Sequence, residues 1–597
     1  MSDSSKVNPR EIYRDRIAAR QGEAVALQRQ HVLLGYIRLT LVVAGIVVAW
    51  YSFYQHVISR WWLLAIFAVF VVAARRHSAV LQRKAEAQRA IAFFERGIAR
   101  IEDRWAELSA RVVEVNTTGS LFAEDLDLFR RAGLFDLLNT ARTSAGDDAL
   151  ASWLLNPAER DVILARQPAI AELRGMTELR EQLASCGDAD FEHLDIGALV
   201  QWASSGEPEI ATSWRWISPL LVALTIAAAV RYLATNHGWL LLMIVIIDAT
   251  ITFALLKKTQ TLFVSAERAS DSLKLASVLI ERWEQQDLSS PLLHDLRQSL
   301  QSKTESASRA LARLALLAQM MEQRGNFIVR VLDAPLLYSV QLAGAARAWR
   351  RRHGASLSQW LQTLSELEAL QSLATYSFEH PNDPFPDLTE GGPRFEATDL
   401  GHPLIPEAKC VRNHVSLDDE TRLLLVSGSN MSGKSTLLRA VGINAVLAMA
   451  GAPVRAGSLR MTPLRVGASI QVSDSLQEGR SRFYSEILRL RAICALAEAR
   501  PPVLFLLDEL LDGTNSSDRL TGAAGIAHAL MTSGAIGLIS THDLALTAIG
   551  DGAHALRNVH FEERIENGEM RFDFRLRDGV VTTRNGVALM RMVGLKV

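Results

Sequence analysis

The segment Gly428–Ser435 constrains the fold most, because it reads G-S-N-M-S-G-K-S and fits the pattern G-x-x-x-x-G-K-[ST] of a phosphate-binding loop. The preceding run, Leu423–Ser427, is short and apolar, which predicts a buried strand. The following run, Thr436–Ala450, is apolar at helical spacing. Glycines let backbone N–H groups turn around an anion, and the helix N-terminus adds positive potential. The predicted nucleotide-binding residues are Gly428, Ser429, Asn430, Met431, Ser432, Gly433, Lys434, Ser435 and Thr436.

Carboxylates at the end of a second apolar run complete a predicted ATP and Mg²⁺ site. Lys434 is predicted to reach the β- and γ-phosphates, and the Ser435 hydroxyl to bind Mg²⁺. The run Val503–Leu507 predicts a central parallel strand that ends at Asp508 and Glu509. Because that end lies beside the phosphate loop, Asp508 is predicted to bind Mg²⁺ and Glu509 to polarise the attacking water.

Two further segments extend this predicted region. A short strand over residues 534–539 precedes His542, whose imidazole is predicted to sense the γ-phosphate. Between the strands, the polar segment 474–486 leads into an amphipathic helix, and Ser481 within it offers a hydroxyl to a phosphate. Taken alone, a capped helix start explains that segment equally well.

Four apolar runs lie outside this region, in two pairs. Residues 39–54 and 61–74 form the first pair, and residues 216–233 and 239–256 form the second. A helix that crosses a bilayer needs about 20 apolar residues, a length that the second pair meets well and residues 61–74 do not. The sequence predicts two transmembrane hairpins, with buried core helices of a large soluble protein as the alternative.

The charges that flank the runs predict an orientation. Basic residues lie on one common side of both hairpins: Arg38, Arg75, Arg76, Lys257 and Lys258. The positive-inside rule then places both termini and the ATP-binding region in the cytoplasm, in a multi-pass protein of the cytoplasmic membrane that contacts membrane lipid. Asp248 lies within the fourth run, where it serves either a functional site or a hydrogen bond between helices.

Between and after the hairpins the sequence is mainly helical. His77–Val115 reads as one long helix, and the proline-rich stretch 379–386 breaks helices. A basic cluster around Trp349 is predicted to be a solvated helix end or a contact for nucleic acid or lipid headgroups. The predicted organisation is a cytoplasmic N-terminal tail (1–38), hairpin 1 (39–76), a helical core domain (77–213), hairpin 2 (214–258), a helical lever or arm region (259–378), a linker (379–400) and an α/β P-loop ATPase domain (401–597).

Composition narrows the class of function. The chain has 64 Lys and Arg against 65 Asp and Glu, so a nucleic-acid surface would have to be local. Its three cysteines, Cys186, Cys410 and Cys494, form no C-x-x-C pair, which argues against a zinc site or a disulfide framework.

Several motifs together resemble the MutS mismatch-repair ATPases. The loop at 427–436, including Asn430-Met431, resembles that family's nucleotide loop, and residues 506–514 resemble its Walker B motif. The segment 474–486 is similar to its signature segment, and His542 is similar to its switch histidine. Further similarity covers Gly401-His-Pro-Leu404, Asn413 and residues 586–595. Upstream, residues 133–155 and 165–173 resemble the family's helical core domain, and Ser372-Leu373 falls where its lever returns to the ATPase domain. The resemblance thus extends over residues 120–180 and 365–597.

The resemblance implies an ABC-type ATPase that hydrolyses ATP with Mg²⁺ in composite sites of a homodimer. Glu509 would be the general base, His542 would contact the γ-phosphate, and Ser481 would act in trans on the partner's nucleotide. The cycle would move helical arms and implies DNA binding, in repair or another DNA-associated role. Cys410 stands where the family usually has an aromatic that stacks on adenine, and neither a mismatch-reading domain with its Phe-x-Glu motif nor a C-terminal dimerisation extension is expected. The alternative is a membrane mechanochemical ATPase that acts on a protein or lipid partner without DNA or mismatch recognition.

Overall fold

The structure, a computed structural model, is predominantly helical with mixed α/β sheets near its C-terminus. It describes residues 8–55, 57, 59, 61–108, 115–187, 196–204, 213–267, 270–301, 305–429, 431–470, 482–512, 514–543, 545–547, 555–566 and 569–581.

The chain begins with two long helices that pack along each other, α1 (Pro9–Phe53) and α2 (Trp61–Ile101). Asn8 caps α1, because its side chain accepts the N–H of Arg10. Each helix is far longer than its apolar run, since the polar flanks continue the same helix. The single helix predicted over His77–Val115 is therefore wrong at both ends. The observed helix, α2, begins at Trp61 and ends at Ile101, just before Asp103 takes a left-handed φ of 56°.

A layer of short helices follows: α3 (Trp105–Leu108), α4 (Leu134–Leu138), α5 (Ser144–Leu155), α6 (Arg160–Gly175), α7 (Thr177–Ser185) and α8 (Ile196–Ser204). A second helical pair comes next, α9 (Trp214–Thr235) and α10 (Trp239–Glu267). Asn236, with a left-handed φ of 56°, makes the turn between them.

The helical region continues with α11 (Ser270–Glu284), α12 (Pro291–Leu300), α13 (Ala307–Glu322), α14 (Phe327–Leu336) and the 42-residue α15 (Tyr338–Glu379). α15 forms the spine of this region, because α5, α6, α8 and α13 pack against it. In the basic cluster around Trp349, Arg351 and Arg352 are exposed, whereas the two residues before them point inward. Trp349 is buried and donates to the carbonyl of Ala310 at 2.7 Å, and Arg350 is only 8% exposed.

By length and composition, three of the described helices could cross a membrane: Pro9–Phe53, Trp61–Ile101 and Trp216–Thr235. The described apolar part of α10, Trp239–Leu255, is shorter. Large apolar side chains on all four point outward from the protein, among them Ile46 (65% exposed), Phe67 (64%), Leu220 (61%) and Leu242 (62%).

The main sheet of the C-terminal region has the strand order β10-β9-β4-β8-β7-β6. Its strands are β4 (Leu423–Ser427), β6 (Arg465–Ser469), β7 (Val503–Leu507), β8 (Ile536–Thr541), β9 (Leu556–Glu566) and β10 (Glu569–Asp578). All neighbours are parallel except β9 and β10. Helices α16 (Lys434–Ala450), α17 (Arg482–Ala497) and α18 (Ser516–Thr532) accompany them.

A second sheet, ordered β1-β5-β2-β3, lies beside the first. Its strands are β1 (Asp387–Leu388), β2 (Phe395–Leu400), β3 (Asn413–Leu417) and β5 (Ser458–Met461). The segment 379–400, expected to be a linker, thus contributes two strands to this sheet. A Pro-rich sequence breaks helices but does not prevent nearby residues from pairing as strands. β2 pairs with both β3 and β5.

Candidate functional site

The glycine-rich loop joins β4 to α16, as the sequence pattern predicts. Gly433 has a left-handed φ of 104° directly before the helix, and a Cβ on it would lie 3.1 Å from the ring of Phe574. Met431 also has a left-handed φ, 75°, and its side chain is 86% exposed. Asn430 lies outside the described residues. The loop needs glycine at 433 for both its backbone conformation and its space.

Lys434 lies inside this loop and is only 4% exposed. Its Nζ donates to the carbonyls of Gly428 and Ser429, both at 2.9 Å, and lies 3.9 Å from Oε1 of Glu509. Burial lowers the pKa of Lys434, while the carboxylates of Glu509, Asp508 and Glu563 act in the opposite direction. A desolvated ammonium bonded to two carbonyls can exchange them for anionic oxygens at a net gain, because bonds between charged partners are the stronger ones.

A second feature of the loop fits a phosphate. The hydroxyl of Ser432 is buried and has no hydrogen-bond partner among the described residues. A buried polar group without a partner is costly, and a ligand oxygen at this point would remove that cost. Ser435 and Thr436 lie in the first turn of α16, where the helix N-terminus also favours an anion.

At the end of β7, Asp508 and Glu509 take different roles in the local hydrogen bonding. The carboxylate of Asp508 accepts the hydroxyl of Ser540, which lies on the neighbouring strand β8. The backbone N–H of Glu509 donates to both the carbonyl and the hydroxyl of Ser540 at 3.2 Å. Glu509 has a left-handed φ of 49°, a strained conformation that is typical of functional sites.

His542 lies beside this pair. Its Nδ1 is 3.4 Å from Oε1 of Glu509, and its Nε2 is 4.0 Å from Oδ1 of Asp512. β8 covers Ile536–Thr541 rather than the predicted 534–539, so His542 follows the strand directly. The structure therefore brings Lys434, Asp508, Glu509 and His542 together at the carboxyl edge of the parallel strands.

The segment with Ser481 lies outside the described residues, which resume at Arg482 in α17. Glu486 in that helix is buried, and its carboxylate accepts the N–H of Leu511 at 2.7 Å. The helix that follows the signature-like segment is thereby attached to the loop that follows Asp508-Glu509.

Sequence reasoning missed Phe574. It lies in a bulge of β10 with a left-handed φ of 53°, is 42% exposed, and places its ring against Gly433. Asn413 fixes the bulge by donating to the carbonyl of Phe574 at 3.0 Å and accepting the N–H of Leu576 at 2.7 Å. Cys410, at the position where the family usually has a stacking aromatic, instead accepts the backbone N–H of His402 on its sulfur at 3.4 Å. A bulge leaves no clear sequence signal, so the position of this ring could not be inferred.

Glu563 was also missed, although the sequence held a signal for it. On β9, every second side chain points inward: Val559, Phe561 and Glu563 are 4%, 2% and 8% exposed. The Glu563 carboxylate accepts the hydroxyl of Ser429 in the phosphate loop. Strand periodicity alone could have placed this carboxylate on the inner face.

Comparison with known proteins bears on the same region, since residues 424–596 match the family MutS domain V. The C-terminal domain of this chain is therefore MutS-related. The matched residues contain the phosphate loop, Asp508, Glu509 and His542, which confirms the resemblance on which the sequence interpretation depends.

Individual relatives agree with that assignment. The chain is 31% identical to the DNA mismatch repair protein MutS of Staphylococcus saprophyticus over 283 residues, 46% of this chain and 32% of that protein. It is 39% identical to Endonuclease MutS2 of Thermus thermophilus over 183 residues, 30% of this chain and 23% of that protein. The chain thus spans a third or less of the length of these relatives.

Proposed function

We propose that this MutS-related protein is an ATPase of the cytoplasmic membrane, active as a homodimer, whose nucleotide cycle moves helical arms that act on DNA. The observation that carries the ATPase proposal is the convergence of Lys434, Asp508, Glu509 and His542 beside the phosphate loop. Each residue type suits one requirement of phosphate-anhydride hydrolysis.

The residues of the site have separable tasks. Bound ATP with Mg²⁺ would supply the scissile anhydride and a Lewis acid on its phosphate oxygens. Lys434 and the loop N–H groups hold negative charge, and the oxygens of Ser435 and Asp508 are suited to hold the hard cation. Glu509 accepts a proton from water, and the imidazole of His542 lies close enough to hydrogen-bond to the Glu509 carboxylate.

Two further residues complete the proposed nucleotide site. The exposed ring of Phe574 beside Gly433 offers a face on which a base can stack. Ser481 of the opposite protomer would close the composite site, with Ser429, Met431, Ser432 and Thr436 around the phosphates.

DNA is the proposed binding partner of the arms because the relatives are named as a DNA mismatch repair protein and an endonuclease. The outward-facing apolar side chains of α1, α2, α9 and α10 support anchoring in a membrane, with both termini on the cytoplasmic side. They also support a second candidate, a membrane mechanochemical ATPase that acts on a protein or lipid partner without DNA.

Glu509→Gln tests the catalytic assignment. We expect purified protein in detergent to bind ATP normally but to hydrolyse it about 100-fold more slowly or worse, because the amide cannot accept the proton. ATP should then trap the dimer, which light scattering measures. Glu420→Gln, an exposed carboxylate in the same domain, is the matched control. Normal turnover in Glu509→Gln would reject the assignment.

The two candidate functions differ in their response to salt. A DNA-binding protein loses affinity steeply and linearly on a log–log plot as salt rises, because bound counterions are released. We expect this behaviour for the full chain in detergent with duplex DNA. The absence of binding at low salt, with ATP hydrolysis intact, would favour the candidate that acts without DNA.

A further inference from the structure

Helix α14 presents three large apolar side chains outward. Phe327 is 77% exposed, Val331 58% and Leu332 44%, although the helix has only ten residues. Phe327 and Val331 are four residues apart and share one face. A helix on the surface of a soluble protein normally turns such a stripe toward the core. The exposed stripe therefore needs a partner outside this fold.

The surroundings of α14 identify the kind of partner. The helix packs against α9, α10 and α15, so it lies beside the second helical pair. Those two helices also carry exposed large apolar side chains, including Trp216 at 76% and Phe253 at 80%. A partner that covers the outward faces of α9 and α10 is thus positioned to cover α14 as well.

The charges on and beside α14 favour a lipid surface. Arg330 is exposed on the helix, and Arg324 precedes it. The only acidic residue of α14, Asp333, is occupied, because its carboxylate accepts the N–H and the hydroxyl of Ser339, both at 2.7 Å. Apolar side chains flanked by arginines are the pattern of helices that lie in the plane of a membrane interface.

We propose that α14 is an interfacial helix that lays Phe327 and Val331 on the acyl chains of the leaflet facing the C-terminal domain, with Arg324 and Arg330 at anionic headgroups. The proposal rests on the proposed membrane anchoring of α9 and α10. It adds a lipid contact that is separate from the transmembrane runs.

This contact lies at the start of the spine helix α15. Leu337, with a left-handed φ of 45°, makes the turn between α14 and α15, and the Asp333–Ser339 bonds fix that turn. Tyr338 donates to the carbonyl of Met320 at 2.9 Å, which ties the turn to α13. Because α15 continues to Glu379 beside the C-terminal domain, the lipid contact of α14 sets the position of one end of that helix.

Site-directed fluorescence in proteoliposomes tests the proposal. The full-length protein, with Cys186, Cys410 and Cys494 replaced by alanine, receives Phe327→Cys or Val331→Cys and an environment-sensitive label. Leu224→Cys on the exposed face of α9 reports the anchoring helices, and Asp295→Cys on α12 reports water. The vesicles contain phosphatidylcholine, phosphatidylglycerol and a quencher on the lipid acyl chain. ATP hydrolysis of each labelled protein shows that it is folded.

We expect labels at 327 and 331 to show blue-shifted emission and to be quenched by the lipid as strongly as the label at 224, whereas 295 is not quenched. Quenching at 224 with water-like signals at 327 and 331 would overturn the role of α14 and leave the anchoring intact. Loss of quenching at 224 as well would reject both. A third outcome is a blue-shifted emission that the lipid quencher does not reduce but a second labelled copy of the protein does. It would show that another protomer covers α14, which also overturns the proposal.

Discussion

Helices α16 and α9 have similar apolar composition and opposite surroundings. Nearly every residue of α16 is buried, between the parallel sheet on one side and α5 and α6 on the other. In α9 the leucines point outward, with Leu220 at 61% exposure and Leu233 at 84%. Among the described side chains of α9, the buried ones are small or polar, namely Ser218, Thr225 and Ala228.

The difference shows that an apolar run indicates that a helix needs an apolar environment, but not whether protein or lipid provides that environment. α16 is apolar all round because protein surrounds it. α9 has the reverse arrangement, with small and polar residues toward its neighbours and large apolar residues outside, which is the packing pattern of helices in lipid. The proposed membrane anchoring depends on this inversion rather than on hydropathy alone.

The largest expected effect is a difference between two matched leucine truncations. Leu438→Ala on α16 removes a side chain with no exposure and should lower the free energy of unfolding by about 2–5 kcal/mol. Leu224→Ala on α9, where the leucine is 47% exposed, should cost less than about 1 kcal/mol in detergent, because detergent already contacts it. Denaturant unfolding in micelles measures both. Equal losses would mean that α9 is packed in protein, and the comparison would fail.

His402 extends the comparison to a titratable group inside protein. It is 8% exposed, and its Nδ1 accepts the N–H of Leu404 at 3.2 Å, which requires the neutral ring. Burial lowers the pKa of His402 to about 4, and the charge of Arg439 adds to the effect. Because the folded pKa lies below the unfolded value of about 6.5, the unfolded state binds more protons between these values. Stability should fall as the pH drops from about 6.5 to about 4, by up to about 3 kcal/mol.

His402→Asn isolates this contribution, since the asparagine carbonyl can accept the same N–H and does not titrate. Thermal unfolding of both proteins across that pH range gives the difference. We expect the two stabilities to converge on acidification, with the wild type losing more. Parallel curves would show that His402 does not titrate with folding.

The parts of the molecule that follow local chemistry were predictable from sequence. The glycine-rich pattern and the apolar run before it located β4, the loop and α16, and the strand-end rule brought Asp508, Glu509 and His542 to one edge. Long-range features were not predictable. The bulge that directs Phe574 to Gly433 depends on Asn413, far away in the chain. The strands within 387–400 depend on partners such as β5.

The smallest expected effect concerns a polar contact inside the second helical pair. The Thr225 hydroxyl donates to Oδ2 of Asp248 at 2.8 Å, and Asp248 has no exposure. Hydrogen bonds between membrane helices contribute on average about 0.6 kcal/mol, so with the proposed anchoring Thr225→Val should lower stability in detergent by about that amount. Thr250→Val is the control, because the exposed Thr250 donates only within its own helix, to Ile246. A difference between these variants supports a structural bond. If Thr225→Val instead leaves stability unchanged and lowers ATP turnover, Asp248 belongs to a functional site, and the polar interior of this helical pair serves more than packing.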